Sequence, residues 1–143
     1  MKLSVSIGGI ELRNPIVIAS SPLTATVYRL KQAEKFGAAA ASTKLAFIKQ
    51  PFQGRLQLYS EPGHCLIVPI DKRLNLDEAV KLVRDAKKET DLVILSNITH
   101  AAGHIEGWID LATSLEEAGA DMIELNFVCP NIEFTTQQLG IEI

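Results

Sequence analysis

Cysteine and basic clusters are both scarce in this 143-residue sequence. Its two cysteines, Cys65 and Cys129, lie far apart and neither belongs to a C-x-x-C pair, so neither a disulfide framework nor a zinc ribbon is indicated. Lysine and arginine total 14 against 17 aspartate and glutamate residues, a formal net charge of -3. This balance excludes the electrostatic footprint of a nucleic-acid-binding protein and favours small-molecule chemistry.

Long apolar runs are missing as well. Stretches such as "LVIL" are far shorter than the roughly 18 residues that indicate a membrane-spanning helix. The first residues, "MKLSVSIGG", lack the apolar segment of a signal peptide. We therefore predict a soluble cytoplasmic protein that makes no membrane contact and keeps its thiols reduced.

The common nucleotide and metal motifs are also absent. The sequence contains no G-x-G-x-x-G and no G-x-x-x-x-G-K-[ST], so no motif supports a Rossmann dinucleotide site or a P-loop. His100 and His104 are four residues apart, but Gly103 lies between them and neither an H-E-x-x-H motif nor a third ligand is present. We predict a solvent-facing histidine pair near a helix start, and no metal site.

Strand-like and helix-like segments alternate along the chain. After a ribbon with a Gly8-Gly9 turn, strand-like runs cover 16–20, 38–43, 65–70, 91–97 and 121–126, and helical patterns cover 26–37, 76–89 and 103–119. Such alternation is typical of an α/β fold with parallel strands, because a crossover helix lets the next strand run in the same direction. The length suits a single domain, residues 1–143.

Two further expectations concern local structure. In the last predicted helix, the spacing of Ile109, Ala112 and Leu115 predicts that these side chains face the core. The stretch from Leu45 to His64 is rich in Gly, Pro and Gln and is predicted to be a long loop. Long loops inside compact domains often serve as lids or binding loops.

Polar residues recur where the strand-like runs end. The first run ends at Ser20-Ser21, Lys44 follows the second, and Asn97 and Asn126 end the last two. In a parallel α/β sheet or barrel these ends lie on one face, which is where such folds bind ligands. The sequence therefore predicts a ligand site assembled from distant segments.

Structural roles for these residues remain open. A serine or asparagine after a strand also caps helices and begins turns. Lys44 directly follows an apolar segment, so it needs a partner, which is either a carboxylate in a salt bridge or a bound ligand. Cys129 is either an inert buried thiol or a reactive one, held extended by Pro130 at the mouth of the site.

Three segments together resemble a known family. The combination of "NPIVIASSP", "STK" and "GWIDLATSLEEAGADMIELNFVCPN" is similar to the flavin-dependent dihydroorotate dehydrogenases and to the homologous pyrimidine-reducing barrel of dihydropyrimidine dehydrogenase. The similarity runs from about Leu3 to Asn131. It implies a TIM-type (β/α) barrel, here about its first half with a short N-terminal β-hairpin, that binds FMN across its C-terminal face.

The resemblance also implies roles for individual residues. Matches to flavin-binding positions of the family are Ala19, Ser20, Lys44 and Asn126, and Asn97 is added to them because of its position at a strand end. Asn126 and Asn131 match asparagines that bind the polar edge of a pyrimidine-like substrate, and Cys129 matches the catalytic base of members that use cysteine. A cysteine base would take a proton from one ring carbon while FMN accepts a hydride from its neighbour.

The sequence departs from the family in two respects. The family has a substrate-binding asparagine after its second strand, whereas this region reads "EPGHCLIVPIDKR". A complete barrel of this kind needs about 250 residues, and the match stops near the fourth strand. We therefore expect a chain that is inactive alone. The alternatives are a half-barrel subunit that homodimerises or pairs with a complementing C-terminal half, and a non-enzymatic α/β interaction module.

Overall fold

The computed structural model describes residues 3–49, 56–61, 64–69, 73–101 and 103–127. In chain order the elements are β1 (Val5–Ile7), β2 (Ile10–Leu12), β3 (Val17–Ile18), a 3-10 helix (Pro22–Thr24), α1 (Val27–Lys35), β4 (Ala40–Ser42), β5 (Ala46–Phe47), β6 (Leu56–Glu61), β7 (His64–Pro69), β8 (Leu74–Asn75), α2 (Leu76–Glu89), β9 (Val93–Ile98), α3 (Ile105–Glu117) and β10 (Met122–Leu125). Within these residues, no helix is both long enough and apolar enough to cross a membrane.

The N-terminal ribbon is an antiparallel hairpin, as predicted. Strands β1 and β2 pair with Val5 opposite Leu12, and both turn residues have positive φ angles, 56° at Gly8 and 83° at Gly9. Glycine adopts this left-handed conformation without steric cost, which suits a two-residue hairpin turn. The buried Leu12 packs with Ala40 near the start of β4, so the hairpin covers the amino-terminal end of the main sheet.

The main sheet is parallel throughout and curls into a half-barrel. Strand β3 pairs with β4, β4 with β9, and β9 with β10, while β5 and β8 extend the sheet beside the end of β9. Helix α1 connects β3 to β4, α2 leads into β9, and α3 connects β9 to β10. The predicted α/β class and parallel half-barrel are therefore confirmed.

The two faces of the sheet have different neighbours. Ala41, Ile94 and Ile98 belong to the core cluster that includes buried residues of all three helices. Ala40 belongs instead to a second cluster, which contains residues of the hairpin and the two residues of β9 that directly precede and follow Ile94. Successive strand residues point to opposite faces, so one face carries the helices and the other faces the barrel interior.

Helix α3 buries only part of the stripe that the sequence predicted. Trp108, Leu111 and Leu115 are buried and Ala112 is partly buried, but Ile109 is 55% exposed. A stripe spaced strictly by three residues drifts by about 60° at each step, because a helix turns once in 3.6 residues. Burial follows the i, i+3, i+4, i+7 pattern, so the prediction was wrong for Ile109.

The predicted long loop was also wrong in part. Within the stretch from Leu45 to His64 the chain forms β5 and β6, and β6 pairs with β7 as an antiparallel hairpin. The predicted strand at 65–70 agrees with β7 at residues 65–69, and residue 70 lies outside the described residues. The partial alternation of apolar and polar residues in "LQLYSE" indicates a strand. The neighbouring Gly, Pro and Gln residues, which are typical of loops, obscured this signal.

Asp121 ties the start of β10 to β9. Its Oδ2 accepts from the backbone N of buried Ile94 at 2.8 Å and from Lys87 Nζ at 2.7 Å. Replacing Asp121 with alanine leaves the Ile94 N–H without its acceptor, so we expect the free energy of unfolding to fall by about 1–3 kcal/mol. Urea denaturation followed by circular dichroism measures this change.

The matched control for that prediction is Lys87→Met. It removes only the ion pair, whose two side chains are 34% and 25% exposed, and should cost about 0–1 kcal/mol. Equal losses in the two variants would contradict a dominant role for the hydrogen bond from Ile94.

Candidate functional site

A cavity of about 290 Å³ lies at the carboxyl ends of the parallel strands. It is lined by the described residues that match flavin-binding positions, namely Ala19, Ser20, Lys44, Asn97 and Asn126. Ser21, the other polar residue at these strand ends, instead caps the 3-10 helix, where its Oγ accepts from the backbone N of Leu23. Cys129 and Asn131 lie outside the described residues. The structure thus brings together residues from the ends of four strands that are up to 107 positions apart (126 minus 19) in the sequence.

The register of the sheet explains why these side chains converge. Ser42 is paired with Leu95, so Lys44 and Asn97, each two positions further on, continue the same face. Asn97 is in turn paired with Glu124 of β10, and Asn126 follows two positions later. The alternation of the strands therefore directs all four polar side chains towards the barrel interior.

Lys44 is buried at the centre of this arrangement, with 5% of its surface exposed. Its backbone N donates at 3.2 Å to the carbonyl of Thr24, the buried last residue of the 3-10 helix. The neighbouring Thr43 Oγ1 accepts from the backbone N of Asn97 at 3.3 Å and links the ends of β4 and β9. The ammonium group is therefore carried on a fixed backbone and contributes to the cavity wall.

The asparagines are held by a set of hydrogen bonds. Asn97 Nδ2 donates to Glu124 Oε1 at 2.6 Å, and Asn126 Nδ2 lies 3.4 Å from Asn97 Oδ1. The backbone N of Asn126 donates to Ile98, and the carbonyl of Asn126 accepts from Thr99 Oγ1 at 2.8 Å. These contacts fix the end of β10 against β9 and set the position of the Asn126 amide.

Sequence reasoning missed three residues of the cavity wall, Leu45, Arg73 and Glu124. Glu124 could have been found, because it precedes Asn126 by two positions and must share its face in an extended strand. Arg73 is 4% exposed and comes from a segment with no recognisable pattern. Only the tertiary fold, which sets β8 beside β5, brings its guanidinium to the site.

The histidine pair lies beside a second cavity, also of about 290 Å³ and lined partly by Phe47 and Lys49. The rings of His100 and His104 are 5.9 Å apart, and His104 is exposed at the start of α3, as predicted. His100 is partly buried instead, and a Cβ on Gly107 would lie 2.5 Å from its Nε2. The described residues contain no group of three or more side chains suited to a metal ion.

Comparisons with known proteins give related sequences, although no family model matches the chain. The dihydroorotate dehydrogenase B (NAD(+)) catalytic subunit of Thermoplasma acidophilum is 30% identical over 139 residues, 96% of this chain. The corresponding subunit of Methanocaldococcus jannaschii is 30% identical over 137 residues, 90% of this chain. The NAD-dependent dihydropyrimidine dehydrogenase subunit PreA of Escherichia coli is 26% identical over 148 residues, 99% of this chain.

The chain is thus similar to dihydroorotate dehydrogenase and dihydropyrimidine dehydrogenase subunits over less than half of their length. It spans 45% of the Thermoplasma relative, 42% of the Methanocaldococcus relative and 35% of the Escherichia coli relative. The half-barrel agrees with this coverage, since four of the six strands of its sheet, β3, β4, β9 and β10, lie side by side in chain order, and eight such strands close a β/α barrel. The strand-end cavity lies at the carboxyl ends of the parallel strands, the face on which β/α barrels build their sites.

Proposed function

We propose that the chain supplies the N-terminal half of an FMN-dependent oxidoreductase that oxidises or reduces a dihydropyrimidine. One observation carries this proposal: the ligand-binding residues predicted at four separate strand ends line a single cavity. A chance set of helix caps and turn residues would have no reason to share one wall. A cytoplasmic location, predicted from the sequence, stays a prediction.

The residues of the cavity fit the ring system of a flavin. Lys44 offers a buried ammonium donor, and Asn97 and Asn126 offer amide donors and acceptors suited to the polar edge of a flavin. The volume of about 290 Å³ is near the lower end of ligand pockets, roughly 300–1,000 Å³, so it suits a ring more than a whole nucleotide. The described residues include no glycine-rich phosphate loop, and we assign phosphate binding to the other half of the barrel.

The proposed chemistry assigns a proton transfer to this chain. Cys129 Sγ, as thiolate, takes a proton from one carbon of the dihydropyrimidine ring, and its reference pKa of about 8.5 makes this practicable after modest activation. Asn126 and Asn131 bind the amide edge of the ring and orient that carbon towards the thiol. Bound FMN would supply the acceptor for the hydride that leaves the neighbouring carbon.

Assembly with a second half is part of the proposal. Among the described strands, β3 pairs only with β4 and β10 only with β9, so each leaves one edge unpaired. An apolar cavity of about 410 Å³ lies beside β3, lined in part by Ile16, Ile18 and Phe36, and Phe36 is 82% exposed. An open parallel edge next to apolar surface favours a further β/α unit, supplied by a complementing C-terminal half or by a second copy.

The test is a chimera in which this chain replaces the matching 45% of the Thermoplasma acidophilum subunit. We expect it to bind one FMN per barrel and the bound flavin to be reduced by dihydroorotate or dihydrouracil. A chimera that is folded by circular dichroism yet binds no FMN would contradict the proposal. Turnover by the chain as a demonstrated monomer would contradict the need for a second half.

Lys44 is expected to contribute directly to flavin affinity. Lys44→Met in the chimera removes a buried charged donor, and hydrogen bonds to charged groups are worth about 1.5–3 kcal/mol. We therefore expect FMN to bind about ten- to one-hundredfold more weakly, as measured by quenching of flavin fluorescence.

Lys31→Met is the matched control for Lys44. Lys31 is an exposed lysine on α1 that pairs with Glu89 at 2.8 Å, and it does not line the strand-end cavity. FMN affinity should be unchanged in this variant. Equal affinity of the two variants for FMN would exclude Lys44 from flavin binding.

A further inference from the structure

Glu124 places a carboxylate on the inner face of the sheet, beside the asparagines of the strand-end cavity. It is the register partner of Asn97, whose Nδ2 donates to Glu124 Oε1 at 2.6 Å. Asn97 Oδ1 lies 3.4 Å from Asn126 Nδ2. These three side chains form a continuous chain of hydrogen bonds, which we call the amide relay (Glu124, Asn97 and Asn126).

The Glu124 carboxylate sets the direction of the amide relay, that is, which end of each side-chain amide donates and which accepts. An ionised carboxylate only accepts hydrogen bonds, whereas an asparagine amide donates at nitrogen and accepts at oxygen. Asn97 must therefore turn its NH2 group to Glu124 and its Oδ1 to Asn126. Asn126 must then turn its own NH2 group to Asn97 Oδ1. The hydrogen bonds of the two side-chain amides have these donors and acceptors.

The end of the amide relay faces the cavity. Asn126 lines the cavity, and among the described residues no group donates a hydrogen bond to its Oδ1. Its backbone is held on both sides, since its N donates to Ile98 and its carbonyl accepts from Thr99. Because one N–H of the Nδ2 group points to Asn97 Oδ1, Oδ1 is the acceptor that Asn126 can offer to a ligand.

We propose that Glu124 is a positioning residue that acts through Asn97 to present Asn126 Oδ1 as an acceptor inside the cavity. The cavity then selects ligands that carry an N–H donor on a ring amide. The identity of that ring rests on the proposed flavin and dihydropyrimidine chemistry, whereas the direction of the amide relay does not depend on it.

Glu124→Gln tests the direction. A neutral glutamine amide can donate or accept, so both directions of the amide relay become accessible, and the charge-assisted bond is replaced by a weaker neutral one. We expect the side-chain NH2 protons of Asn126 to exchange with water about fivefold faster, measured by ¹⁵N-resolved NMR on the chain. Unchanged Asn97 and Asn126 side-chain signals in folded Glu124→Gln would overturn the proposal.

A second variant distinguishes a change in the direction of the amide relay from a general loss of packing. In the double variant Glu124→Gln with Asn97→Asp, the glutamine donates to the new carboxylate, which again accepts from Asn126 Nδ2. The Asn126 NH2 exchange rate should return to within about twofold of the original value. Failure of this rescue in a folded double variant would also overturn the proposal. Glu116→Gln, an exposed change on α3, is the control that should alter neither signal.

The ligand end is tested with uracil and 1,3-dimethyluracil as probes. The second compound keeps the ring carbonyls and lacks both N–H donors, so the chain should bind uracil about tenfold more tightly, and Glu124→Gln should reduce this preference to below about threefold. No preference in the original chain would overturn the ligand assignment. If the NMR results still hold, they support the direction of the amide relay, and what fails is the ligand assignment, which rests on the proposed function.

Discussion

Replacing Leu111 with alanine is expected to lower the free energy of unfolding by about 3–5 kcal/mol. Leu111 is fully buried in α3 and belongs to the core cluster shared by the helices and the outer face of the sheet, which includes Ile94 and Ile98. The substitution removes buried apolar atoms and leaves a cavity that a close-packed core fills only partly. Urea denaturation followed by circular dichroism gives the change directly.

Ile109→Ala is the matched control on the same helix. Ile109 is 55% exposed, and exposed substitutions away from special features usually stay within about 0.5 kcal/mol. The pair therefore tests which face of α3 lies in the core. A larger loss for Ile109→Ala than for Leu111→Ala would mean that the helix is rotated relative to the sheet, or that Ile109 is covered by another element in solution.

The second large effect is expected at Cys129. In the chimera with the Thermoplasma acidophilum subunit, Cys129→Ala should leave FMN bound and slow flavin reduction by the dihydropyrimidine at least about one-hundredfold, because general acid–base catalysis typically contributes 10²–10⁴-fold. Stopped-flow absorbance of the bound flavin separates the reduction step from binding.

Cys65→Ala is the control for that experiment. It removes the other cysteine of the chain, which lies in β7, and should leave the reduction rate unchanged. An unchanged rate in Cys129→Ala would exclude this thiol as the base. A chimera that assembles normally but shows no flavin reduction even with Cys129 intact would favour the non-enzymatic interaction module.

Helix α2 and the hairpin were predictable because their signals are local. The bounds of α2, residues 76–89, were predicted correctly, since an apolar stripe and a Glu78 that accepts from the backbone N of Asn75 at 3.0 Å define its face and start. The two glycines at the hairpin turn likewise require no distant contact. The prediction for the buried face of α3 was wrong for Ile109, because several apolar stripes overlap on that helix and only packing selects one.

The positions of the candidate site were also predictable from local signals, whereas the roles of its residues were not settled by them. Polar residues at the ends of strands, together with the resemblance to dihydroorotate dehydrogenases, marked Ala19, Ser20, Lys44, Asn97 and Asn126 as ligand-binding positions. These positions could be found because strand alternation and parallel order follow from the pattern of apolar residues. The catalytic and cofactor roles assigned to them stay predictions, as do those of Cys129 and Asn131.

Local periodicity and turn chemistry were enough to determine the α/β class, the alternation of strands and helices, and the positions of the polar strand ends. Tertiary structure alone decided that Arg73 joins the cavity and which atoms of Asn97 and Glu124 meet. Those contacts depend on strand register and on the pairing of β8 with β5, which are set by packing across residues far apart in the chain.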